Sequence, residues 1–128
     1  MHKGFLKTAA WLGALAVAFG AFGAHKLKEL VSEQAVATFE TGVKYQFFHV
    51  LALLLTGILY ASYTNQYILN AGRFFIAGIL LFSGSLYVLT VKTGLVLSGL
   101  SWVGPITPIG GLCFIIGWGL LALGVKKA

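Results

Sequence analysis

Acidic side chains are almost missing from this sequence: Glu29, Glu33 and Glu40 are the full complement, all between His25 and Lys44. Charged residues of both signs make up 9% of the 128, hydrophobic residues 59%, and the mean hydropathy is +0.92. So little charge excludes an ordinary water-soluble domain of this length, which could not cover its surface with polar groups. Lipid can cover it instead. The apolar segments contain no acid, so the carboxylate that usually drives proton- or cation-coupled export is absent. Cysteine occurs once, as Cys113 inside an apolar run, which excludes an intrachain disulfide and reads as a small buried hydrophobe. There is no nucleophile elbow, no phosphate loop and no ligand cluster at metal-binding spacing, so neither catalysis nor a cofactor is expected. The formal net charge of +6 does not point to nucleic acid, because the basic residues stand singly or in pairs between apolar runs and form no stripe. They read as membrane-flanking anchors.

What is present is four apolar segments. The first, about residues 5–24, is long enough at ~1.5 Å per residue to cross a hydrocarbon core of roughly 30 Å. It follows Lys3 and Lys7 as a secretory signal would, but three more apolar segments follow, so it is expected to be a retained span. Ala9, Gly13, Ala16 and Gly20 recur on one face, with Ala10, Ala14 and Ala18 on another, which predicts the most closely packed helix of the four. The polar stretch 27–44 has Leu27, Leu30, Val31, Ala35 and Phe39 at helical spacing, which predicts an amphipathic interfacial segment. Ser32 is a candidate N-cap with Glu33 in the first turn, starting one long helix to about Ser62 with a bend at Gly42.

The second span proper is expected at about 45–63. Asn70-Ala71-Gly72 precedes a third span at about 73–91, closed by Lys92 and Gly94. The connection 95–106 is expected to follow the interface, with Trp102 in the aromatic belt. Thr107-Pro108 fits an N-cap with proline at the first helical position, opening a fourth span at about 108–125 before Lys126 and Lys127. Four spans put both termini on one side. That side holds Lys3, Lys7, Arg73, Lys126 and Lys127 against Lys26, Lys28, Lys44 and Lys92, which leans towards cytoplasmic termini.

Three groups of residues could carry chemistry. At the entrance to span two stand Glu40, Lys44, Tyr45, Gln46 and His49, with His25 expected on the same side. Glu40 and Lys44 are four apart and can pair, and Tyr45 and His49 share a face. His49 is the one histidine placed within a span, which makes it a candidate pH gate or proton relay. The commoner outcome is a histidine satisfied by a neighbouring helix. In Thr107, Pro108, Gly110 and Gly111, a broken helix entry could offer backbone groups to an ion, or simply start and pack a helix. The hydroxyls of Ser83 and Ser85 could line a pore or bond to a neighbouring helix. Trp118, in mid-span, needs a partner for its indole N–H.

Taken together, Gly-Ala-Phe-Gly-Ala-His at 20–25, Phe39-Glu40-Thr41-Gly42 with Tyr45-Gln46 and His49, Ser83-Gly84-Ser85-Leu86-Tyr87, and Thr107-Pro108-Ile109-Gly110-Gly111 with Gly117-Trp118 are distinctive. In these strings the chain resembles the YgdD/YwdK-type family of small four-helix membrane proteins, found in bacteria and related to a small eukaryotic transmembrane protein. The resemblance covers essentially the whole chain. It implies a four-helix topology and a bacterial inner-membrane setting, brings no activity with it, and directs attention to His25, Gln46, His49 and Thr107.

The expectation is therefore an all-α membrane protein with four transmembrane helices and an amphipathic helical extension before the second span. Its partners would be the lipid bilayer and other membrane proteins or copies of itself, in a structural or accessory role. The alternative is a pore or carrier for a small solute or ion with His49 as its pH-sensitive element. An enzyme acting on lipid or quinone would need an open groove at bilayer depth beside His49.

Overall fold

From Lys3 to Ala24 no proline or acid interrupts the chain, and these residues form α1 in the computed structural model, which describes residues 1–94 and 103–126. His2 caps α1, its ring Nδ1 accepting from the Phe5 N–H at 3.0 Å. A single turn, α2 (Leu27–Leu30), ends where Val31 becomes extended, and Ser32 then caps α3 (Glu33–Leu59) by accepting from the Ala35 N–H at 3.2 Å. The segment 27–44 is thus two helical pieces, because the Ser32 side chain serves the second helix at the cost of continuity.

Helix α4 (Gln66–Gly78) begins seven residues earlier than the spacing predicts. Asn65 caps it, accepting from the Ile68 N–H at 3.1 Å. Asn70-Ala71-Gly72, expected to be a turn, lies inside the helix: Asn70 accepts from Arg73, Ala71 is fully buried, and Gly72 is where the Phe5 ring seats. Small residues that break helices in water serve close packing in lipid. The chain then widens into a π-helical stretch, Ile79–Ser83, before α5 (Gly84–Gly94) completes the third span. Nothing in the spacing predicts that stretch.

The last helix, α6, runs Val103–Gly124 and holds Pro108 in its interior, so Thr107-Pro108 does not open it. Proline there has no N–H for the Gly104 carbonyl, a loss that an exposed first turn tolerates. The Thr107 hydroxyl bonds to Ser85 instead of capping. Of the connection expected at 95–106, residues 103–106 form the first turn of α6, while 95–102, with Trp102, lie outside the described residues, as does Lys127.

All four spans are long and apolar enough to cross a bilayer. Glycines show how they pair. Along α1 and α3, Gly57 meets Phe5 and Leu6, Gly13 meets Val50, Gly20 meets Val43 and Gly23 meets Phe39, so the two helices lie antiparallel along their whole length. The His2 N–H closes one end on the Gly57 carbonyl at 2.9 Å. On the other side of α3, the third span and α6 pair in the same manner, with Gly110 against the backbone of Phe82, Gly117 against Phe75 and Gly124 against Ile68. The α3 helix lies at the centre, and 44% of its apolar window is buried against 17% for α1. The closest backbone approach expected of α1 is found instead where Gly110 of α6 meets Phe82; in α1, Ala9 and Ala16 are buried, while Ala10, Ala14 and Ala18 face outward. Helix α3 is continuous across Gly42, the position expected to bend it. Gly42 lets the Tyr87 ring approach.

Candidate functional site

The helix pairing fixes depth. The last turn of α1 stands level with Phe39, and Gly13, near the middle of α1, stands level with Val50. His49 therefore stands level with the middle of α1, and Glu40 with its last turn. At ~1.5 Å per residue, Glu40 is about 13 Å of helix away from His49. The expected cluster accordingly separates. His25 ends α1 as an exposed residue, and Glu40 and Lys44 are exposed with no ion pair between them; Lys26–Glu29, at 3.5 Å, is the one such pair among the described residues. Exposed i,i+4 charges gain little from pairing, so their separation costs little.

Tyr45, Gln46 and His49 do converge with other spans. His49 is 5% exposed, and both ring nitrogens are used: Nδ1 lies 2.8 Å from the Tyr45 carbonyl and Nε2 accepts from the Trp118 indole N–H at 3.0 Å. A carbonyl only accepts and an indole only donates, so the partners assign the neutral imidazole with its proton on Nδ1. The ring stacks on Phe114 at 3.6 Å between centroids and meets Phe75 and Trp118 obliquely. Gln46, 1% exposed, is the hub beside it. Its Nε2 donates to the Leu12 carbonyl of α1 at 2.8 Å, and its Oε1 accepts from the Tyr87 hydroxyl of α5. One side chain thus ties three spans.

The hydroxyls complete the layer. Ser83, in the π-helical stretch, donates to the Gly42 carbonyl of α3 at 2.7 Å, while Ser85, two residues on, bonds to the Phe82 carbonyl and the Thr107 hydroxyl of α6. Thr56 and Thr90 return their hydroxyls to carbonyls four residues back in their own helices. Among the described residues no buried side-chain polar atom lacks a partner. Of the expected helix-start group, Gly110 admits the Phe82 backbone, and Gly111 lies against the Phe82 ring and, with Pro108, lines the cavity beside His49.

Sequence reasoning singled out Tyr45, Gln46, His49 and Trp118 but not the pairing of His49 with Trp118, nor Tyr87 and Phe114. Tyr87 lay within a quoted string, yet its tie to Gln46 crosses 41 residues and has no local signature. Phe114 stands among aliphatic neighbours with nothing in its spacing to mark it.

Beside His49 the bundle is also open. A cavity of about 540 Å³ between α3 and α6, walled by Tyr45, His49, Phe82, Phe114 and Trp118, faces the lipid side. It extends along α6 from Trp118 to Pro108.

These features define a small helical membrane protein with four spans, an interior joined by neutral hydrogen bonds, and a lateral groove beside His49. The protein-family model described as "Protein of unknown function (DUF423)" matches residues 19–111, and the chain belongs to that family. It is 45% identical to the UPF0382 membrane protein SAB0533 of Staphylococcus aureus, over 91% of this chain and 93% of the relative. It is 40% identical to a UPF0382 membrane protein of Haemophilus influenzae, over 100% and 98%, and 37% identical to YwdK of Bacillus subtilis, over 98% of each. No solved structure matches the chain.

Proposed function

We propose that this protein is a non-catalytic bundle of the bacterial inner (cytoplasmic) membrane, acting as a structural or accessory component with both termini in the cytoplasm. The observation that carries the reading is the complete pairing of buried polar side-chain atoms among the described residues. A conduction path needs polar groups free to exchange partners with a passing solute or ion. Here His49, Gln46, Ser83, Ser85 and Thr107 spend their hydrogen bonds on neighbouring helices. The membrane assignment is supported by four helices long and apolar enough to cross a bilayer and by relatives that are named membrane proteins. Orientation is supported by the basic residues of the sequence, Lys3, Lys7, Arg73, Lys126 and Lys127 on the side of the termini against Lys26, Lys28, Lys44 and Lys92 on the other.

The test is flux. Purified protein in liposomes, probed with protons, small cations and small neutral solutes from about pH 5 to pH 8, where an accessible histidine titrates, is expected to leak no more than empty liposomes. Protein-dependent flux that disappears in His49→Ala would replace this reading with that of a pH-sensitive pore or carrier. Reporter fusions at each terminus test the orientation, and activity of a periplasm-specific reporter at either end would reverse it.

A further inference from the structure

The N-cap of α1 lies outside the usual set. Ser, Thr, Asp and Asn cap most helices, and their oxygens go on accepting a hydrogen bond across the neutral pH range. At α1 the acceptor is a ring nitrogen: Nδ1 of His2 takes the Phe5 N–H at 3.0 Å. Such a nitrogen accepts only while it carries no proton, and histidine is the side chain that changes its protonation between about pH 5 and pH 8. Ser32 of α3 and Asn65 of α4 cap without that condition.

The cap is also tied into the bundle. The His2 ring lies on the Phe5 ring, 3.8 Å between centroids and 19° from parallel, and meets the ring of Tyr60, which ends α3, at 5.6 Å. Its backbone N–H donates to the Gly57 carbonyl of α3 at 2.9 Å, and its carbonyl accepts from the Leu6 N–H at 3.2 Å. Phe5 itself is buried, with its ring seated on Gly72 of α4. One residue thus starts α1 and fastens that start to the end of α3. The groups around it supply no negative charge. On its own element these are the Met1 amino group, Lys3 and Lys7; α3 contributes the Tyr60 phenol, and α4 has Arg73 next to Gly72. The ion pair among the described residues, Lys26–Glu29, follows the far end of α1, and Glu40 stands level with the last turn of that helix. A proton on Nδ1 would point at the Phe5 N–H and add positive charge to a helix N-terminus, where the dipole favours negative charge.

We propose that His2 is an acid-released latch: protonation of its ring withdraws the cap, and the first turn of α1 frays from the end of α3. The released state takes a proton on Nδ1 that the latched state excludes, so the latch holds at high pH and lets go as pH falls through the histidine range. The pH that counts is the one on the side where α1 starts. This goes beyond the structural role proposed above and does not depend on it: a bundle that passes no solute can still loosen at one end.

The experiment follows protein in nanodiscs by NMR from about pH 8 to about pH 5, reading the His2 ring protons and the Cα shifts of Lys3, Gly4 and Phe5, which report helix. These shifts are expected to move towards coil with the same midpoint as the His2 ring, the balance of ordered to frayed first turn changing about fivefold, the effect of one N-cap. His2→Asn keeps a cap that does not titrate in this range and is expected to hold helical shifts throughout. His2→Ala is expected to lack them at every pH. A His2 ring that titrates while the shifts stay helical would overturn the proposal, as would a ring that stays neutral to the end of the range. So would an asparagine variant that frays in acid as the parent does, or an alanine variant as helical as the parent at high pH.

Discussion

Gln46 shows how much one side chain can hold in a membrane. An amide offers an acceptor and two donors, and here the two ends reach α1 and α5 from α3. Gln46→Leu keeps the volume but strands the Tyr87 hydroxyl, and is expected to lower stability by about 1–3 kcal/mol. Reversible unfolding in mixed micelles measures it, and Tyr87→Phe in the same background should recover part of the loss. For His49 and Trp118 a double-mutant cycle with His49→Ala and Trp118→Phe is expected to give a coupling of about 0.5–2 kcal/mol, the range found for hydrogen bonds between spans. Zero coupling would mean that the 3.0 Å contact is not formed. His49 was legible as a residue, since a histidine among apolar neighbours stands out. Its level in the bundle was not legible, because the pairing of α3 with α1, which begins at Phe39, has no local signature.

At the scale of elements, the glycines divide by what faces them. A Cβ on Gly110 would collide with the Phe82 backbone, which cannot move aside, whereas one on Gly119 would meet nothing within 4 Å. Gly110→Ala is expected to destabilise by at least ~1–3 kcal/mol, as overpacking does, and Gly119→Ala to stay within about 0.5 kcal/mol of the parent. Thermal melting of the two variants side by side checks the pair. The four spans themselves were readable from hydropathy and length, and the Ser32 cap from its residue type. The starts of the third and fourth helices were misread for one reason. Asn70-Ala71-Gly72 and Thr107-Pro108 are turn formers by the rules of water-soluble chains, but small or kinked positions inside a span are where neighbouring helices come close. The π-helical stretch was hidden as well, since it is stabilised by what it touches: Ser83 reaches α3 and Ser85 reaches α6 because one extra residue per turn lets side chains two apart serve different neighbours.

For the whole molecule, the confinement of the three acids to the stretch between His25 and Lys44 was the most informative feature of the sequence, and it bears on kinetics as well as topology. Interior hydrogen bonds that no water visits open only when helices separate. Amide exchange is therefore expected to be slowest around Gln46, His49 and Trp118 and fast at Ala61–Thr64 and Lys26–Val31, which exchange measured by mass spectrometry in nanodiscs will rank; fast exchange at Gln46 would contradict a dry centre. The mid-depth layer has a further consequence. Each of its bonds joins uncharged partners, imidazole to indole, amide to phenol, hydroxyl to carbonyl. A transmembrane voltage does about 2.3 kcal/mol of work per 100 mV on an elementary charge that crosses the bilayer, and this layer offers it no charge to move. Energised and collapsed membranes should hold the bundle equally well.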